Sequence, residues 1–73
     1  MEVDFTEYAL SRMRMRDILP EEVEEALRYP QSRRRQGKVM GRLEVRYNVG
    51  QRTLLVVYRR RRGRILVINA MWE

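Results

Sequence analysis

The sequence predicts a single α+β domain over residues 1–73: two short N-terminal helices packed on one face of a three- to four-stranded antiparallel sheet, with a short first strand possible ahead of them. Three observations predict it. Apolar residues recur at helical spacing before Pro30, the apolar period changes to two after it, and the later connections are too short for anything but antiparallel neighbours.

The elements follow in order. Met1 to Phe5 alternates Val3 and Phe5 with Glu2 and Asp4, which reads as a short strand or a lead-in. Asp4 or Thr6 then caps a first helix in which Phe5, Ala9 and Met13 share a face, with Tyr8, Leu10 and Met15 at its flanks. Arg12 and Arg16 are four apart and fall on the apolar side. Leu19-Pro20 opens a second helix, because proline is tolerated at the first helical position. Glu21, Glu22, Glu24 and Glu25 suit its positive N-terminal end, Val23, Ala26 and Leu27 form its apolar edge, and Tyr29-Pro30 ends it. Beyond it Leu43, Val45, Tyr47 and Val49 alternate with Arg42, Glu44 and Arg46, a half-buried strand. Gly50 begins a turn, Thr53–Tyr58 is a strand, Arg59–Gly63 is a turn, and Ile65–Trp72 is another strand. The stretch from Ser32 to Met40 adds an edge strand at most. Both strands after Gly50 are apolar on both faces while two helices cover only one, so a homodimer or a partner protein is expected over the other.

Composition limits the chemistry. Cys and His are absent, which excludes disulfides, thiolate or imidazole metal sites, and any Cys or His nucleophile or base. No metal and no cofactor is expected; the Glu21–Glu25 run reads as a solvated helix start. The acidic N-terminus is unlike a signal peptide and the longest apolar runs are too short to cross a bilayer, so a cytoplasmic protein without a membrane role is expected. The net charge of +6 is unevenly spread. Residues 1–31 carry eight acids and four arginines (net −4), and residues 32–73 carry twelve Lys+Arg and two acids (net +10). That asymmetry favours a polyanion; an arginine-rich surface of compositional or thermal origin is the competing reading.

The run Tyr8-Ala9-Leu-Ser-Arg12-Met13-Arg-Met-Arg16-Asp17-Ile18, the acidic helix after it and Pro30 resemble domain-of-unknown-function family 4258. That family's pattern is His-Ala-x-x-Arg-Met-x-x-Arg-Gly-Ile, then an acidic helix and hairpins. It is similar in fold to the RelE/ParE-like toxins, whose ribosome-dependent members cut mRNA. The resemblance implies a β-α-α-β-β-β layout and RNA or the ribosome as partner, with an acidic antitoxin-like protein as a further one. This chain departs from the pattern at Tyr8 (His in the family), at Asp17 (Gly), at Leu19 in place of a helix cap, and at Asn69-Ala70-Met71-Trp72. A tyrosine keeps a hydrogen-bonding group but is no general base near neutral pH.

The candidate RNA-binding residues are Arg42, Arg46, Arg59 and Arg60, with Arg12 and Arg16 supporting or extending that surface. The guanidinium fork suits phosphate oxygens. Arg12 and Arg16 have a second reading as internal tethers; for Arg12, held by Glu22 or Glu25, its apolar surroundings favour that reading. Arg33–Arg35 with Lys38, and Arg59–Arg62 with Arg64, form two basic clusters that either grip RNA or protect an edge and a turn. Tyr47 lies opposite Arg42 and Arg46 by alternation and reads as core, as does Trp72 as a packing anchor. Cleavage needs a base, an acid and charge stabilisation; arginine supplies only the last, and Glu44 between Arg42 and Arg46 reads as an ion-pair partner. The expected function is therefore RNA interaction, with an endoribonuclease activity left open and a non-enzymatic dimeric module as the alternative.

Overall fold

The computed structural model describes residues 2–29 and 33–73. The elements are β1 (Glu2–Phe5), α1 (Glu7–Met15), α2 (Pro20–Arg28), β2 (Arg33–Gln36), β3 (Leu43–Val49), β4 (Arg52–Arg61) and β5 (Arg64–Trp72). Among the described residues no helix is long and apolar enough to cross a membrane.

The sheet corrects the expectation of three or four antiparallel strands. It has five strands in the order β1-β5-β4-β3-β2 and is mixed, because β1 runs parallel to β5 from Glu2↔Arg64 to Phe5↔Val67. The short-connection argument holds for β2 to β5, which follow one another. It does not reach β1, whose partner comes only after both helices and three further strands. Arg64 fastens this parallel edge through Glu2 (3.4 Å) and Asp4 (3.1 Å). A second correction concerns the expected turn at Arg59–Gly63: β4 runs on to Arg61, and the hairpin closes over Arg62-Gly63 alone, both at positive φ (51° and 78°).

Both helix starts are built locally. Thr6 Oγ1 accepts the Ala9 N–H at 3.0 Å, so Thr6 rather than Asp4 is the cap of α1. Leu19 has no acceptor side chain, and the Glu22 carboxylate compensates by accepting the Leu19 N–H at 2.9 Å. The end of α1 explains a departure from the resembled pattern. Ile18 N–H donates to Met13 O (2.9 Å) and Asp17 N–H to Arg14 O (3.4 Å), a Schellman closure with Met13 and Ile18 both buried. Asp17 therefore sits at φ +54°, where glycine is unstrained. Asp17→Gly is expected to raise stability by about 1 kcal/mol, seen as a higher urea midpoint at unchanged slope. A lower midpoint would show that the aspartate side chain holds the turn.

The core lies between the helices and one sheet face. Ala9, Met13, Ile18, Val23, Ala26 and Leu27 meet Val45, Leu54, Val56, Tyr58, Ile65, Val67 and Ala70. Strand alternation then places Glu44 and Arg46 of β3, Leu55, Val57, Arg59 and Arg61 of β4, and Leu66, Asn69 and Met71 of β5 on the opposite, open face. β5 carries one extra residue there, since Val57 faces Asn69 while Tyr58 faces Val67. No element covers this face among the described residues, yet Leu55, between Arg46 and Met71 in register, is only 8% exposed.

Candidate nucleic-acid interface

The open face brings some of the expected arginines together and removes others. Continuing the β3–β4 register one step beyond Leu43↔Tyr58 sets Arg42 opposite Arg59. β2 adds Arg35 beside Glu44 and Arg33 beside Arg46. Arg60 lies opposite Ile65 and so emerges on the helix side, apart from Arg59.

Arg46 is committed internally. Its Nε and Nη2 donate to the two Glu73 carboxylate oxygens at 2.7 and 3.1 Å, and its Nη1 lies 3.3 Å from Glu44. The Glu73 hydrogen bond above all, then Glu44, holds the guanidinium even more firmly protonated than usual. The Glu73 carboxyl is held below its usual range by the Arg46 hydrogen bond, with Arg33 adding to it. The stabilisation from this pair is thus complete above an ordinary glutamate pKa of about 4.3 and is lost only as pH falls through the depressed value. Around neutrality Glu73 occupies the anion position between Arg46 and Arg33.

Arg16 and Arg12 are also accounted for. Arg16 Nη1 donates to Ala70 O (2.7 Å) and Asn69 Oδ1 (3.1 Å), and Trp72 Nε1 donates to Arg16 O (2.8 Å). Arg12 stands over the Tyr8 ring, 5.0 Å from its centroid, and Nη1 reaches Met15 Sδ at 3.8 Å. The carboxylates expected to hold it are engaged elsewhere, Glu22 at Leu19 N–H and Glu25 as acceptor of the Tyr47 hydroxyl at 2.6 Å. That bond pushes the Tyr47 phenol above the ordinary tyrosine range. Tyr47 and Trp72 belong to the helix side, Trp72 under Arg52 at 4.0 Å. No aromatic–arginine platform forms from them on the open face.

A cleft of about 470 Å³ opens at one side of that face, lined by Thr6, Tyr8, Arg42, Val57, Ile68 and Asn69. Its size lies within the range of small-ligand sites. Arg42 Nε is shielded from solvent and has no hydrogen-bond partner among the described residues. Such an orphan donor costs on the order of 1–3 kcal/mol, so it calls for an acceptor. Asn69 and Thr6 are site residues that sequence reasoning missed. The available signal for Asn69 was a lone amide in the otherwise apolar run Ile65–Trp72. Among the described residues no carboxylate lines the cleft, and no three acidic side chains gather elsewhere as a metal cage.

No protein-family model, no curated protein and no solved structure matches this chain.

Proposed function

We propose that the open sheet face binds RNA through its backbone phosphates, with Arg42 and Arg59 at the centre and Arg33, Arg35 and Arg61 extending the contact. The observation that carries this reading is a set of four arginines on one face, Arg35, Arg42, Arg59 and Arg61, without a salt bridge among the described residues, one of them with a shielded, unpartnered Nε, while Arg33 beside them shares Glu73 with Arg46. Arginine without a counter-ion favours phosphate, and release of condensed cations makes such binding salt-dependent. The resemblance to domain-of-unknown-function family 4258, itself similar in fold to toxins whose ribosome-dependent members cut mRNA, points the same way, and Tyr8, at that family's histidine position, borders the cleft beside Arg42. The role is binding rather than autonomous cleavage: His is absent from the chain, and Glu44 is tied to Arg46. The test is titration of a single-stranded RNA at several salt concentrations, together with mapping of message ends in a ribosome-containing translation extract. Affinity that falls steeply with salt supports the reading, and no binding at low salt ends it.

A second reading draws on the apolar strip Val57, Leu66 and Met71 lying among these arginines. An acidic amphipathic segment of a protein partner fits it, and would displace RNA in competition.

The Glu73 pair supplies a direct check. Glu73→Gln is expected to remove the anion shared by Arg46 and Arg33, leaving Arg46 to Glu44 and Arg33 open to phosphate, which raises RNA affinity and steepens the salt slope by about 0.7, one phosphate on a single strand. An unchanged slope would mean that RNA does not reach the β2–β3 side of the face.

A further inference from the structure

The arginine row accounts for backbone contact but leaves the cleft beside it unexplained. Its polar lining is built to donate. Asn69 Oδ1 accepts from both Arg16 Nη1 (3.1 Å) and the Ala70 N–H (2.9 Å), which fixes the amide of this cleft-lining residue and keeps Nδ2, its donor end, out of both bonds. Arg42 brings a guanidinium whose Nε has no partner among the described residues. Tyr8 is 53% exposed, lines the cleft and has Arg12 against one ring face. Val57 and Ile68 supply apolar surface.

We infer that this cleft takes up one phosphorylated nucleotide: the phosphate rests on Arg42 and Asn69 Nδ2, and the base lies on the face of Tyr8 away from Arg12. Donors without a competing carboxylate select an anion, and an aromatic face beside them selects an anion that carries a ring. The inference deepens the RNA reading, on which it rests, by naming the place where a single residue of the strand is held. Arg16 acts here as a positioning residue, since it turns the Asn69 amide.

The experiment follows the Asn69 side-chain amide and the Arg42 Nε–H by ¹⁵N NMR while a nucleoside 5′-monophosphate, and separately inorganic phosphate, is added to the full chain. Saturable shifts at both groups are expected, with the nucleotide binding more tightly than phosphate because only it reaches Tyr8. Asn69→Asp keeps the Oδ1 acceptor that Arg16 and Ala70 use but replaces the donor with charge. It should weaken RNA binding by about tenfold or more. Asn48→Asp, the same charge change at the far end of β3 on the same face, should weaken it by about twofold, as expected of a screened surface charge. Arg42→Gln should abolish the nucleotide shifts at Asn69, which keeps the test alive if Asn69→Asp fails to fold. If nucleotide leaves both groups unmoved, or the two Asn→Asp variants behave alike while wild type still binds RNA, the cleft assignment is overturned and the RNA reading stands. If the nucleotide shifts appear but RNA does not bind, the cleft assignment holds and the wider reading falls.

Discussion

Replacing Arg16 by alanine is expected to destabilise the fold by about 3 kcal/mol, on the scale of two charge-assisted hydrogen bonds lost to partners that stay in place. β1 ends at Phe5 opposite Val67, so the edge of β5 beyond Val67 has no strand beside it. Arg16, where α1 ends, supplies what a strand would have given, a donor for Ala70 O at 2.7 Å, and orients Asn69 with the same Nη1. Truncation leaves the Ala70 carbonyl short of a donor and the Asn69 amide oxygen with the Ala70 N–H alone. For 73 residues total stability is about 4–11 kcal/mol, so this one change removes a large part of it. The midpoint of thermal unfolding should fall by roughly 12–24 °C. Arg16→Lys should recover only part of the loss, because an ammonium cannot reproduce the fixed guanidinium plane. A midpoint within two or three degrees of wild type, by contrast, would return Arg16 to the surface as a phosphate ligand.

The helices were legible because their signals are local. The Pro20 start, the Val23, Ala26 and Leu27 edge, and the Ala9 and Met13 face all lie within a few turns of chain. The β3 alternation likewise separated Tyr47 from Arg42 and Arg46 correctly, since a period of two assigns faces without knowing the neighbours. β1 was not legible as part of the sheet. Four alternating residues look the same as a lead-in until Arg64–Val67 comes alongside, some 60 residues later. The site suffered from the same dependence on register. Glu73 meets Arg46 only because β5 lies beside β4 and β4 beside β3, and Asn69 reaches Arg16 at the place where β5 carries its extra residue. Arg12 fails differently: the expected partners exist, but Leu19 N–H and Tyr47 reach Glu22 and Glu25. Local pattern therefore yields faces, while the commitment of each charge is decided by contacts distant in sequence.

That distinction governs which arginines to remove in the decisive functional test. The double variant Arg42→Ala, Arg59→Ala should weaken RNA binding by about a hundredfold, the loss of two charge-assisted phosphate contacts. The salt slope should shrink by about 1.4, two phosphates on a single strand. Arg60→Ala, which removes the same charge from the helix side of the same strand, should cost only a few-fold, and Arg46, already neutralised by Glu73 and Glu44, is left in place. Equal losses at Arg59 and Arg60 would mean that charge density, not the open face, drives association. In a translation extract the same double variant separates binding from cutting. New message ends with wild type that vanish in the variant would add a ribosome-assisted nuclease, the ribosome contributing the base this chain lacks. Intact message alongside salt-dependent RNA binding would leave the face as a binding surface. In either case the contrast between Arg59 and Arg60 carries the argument, since these neighbours match in charge and differ chiefly in the face to which β4 turns them.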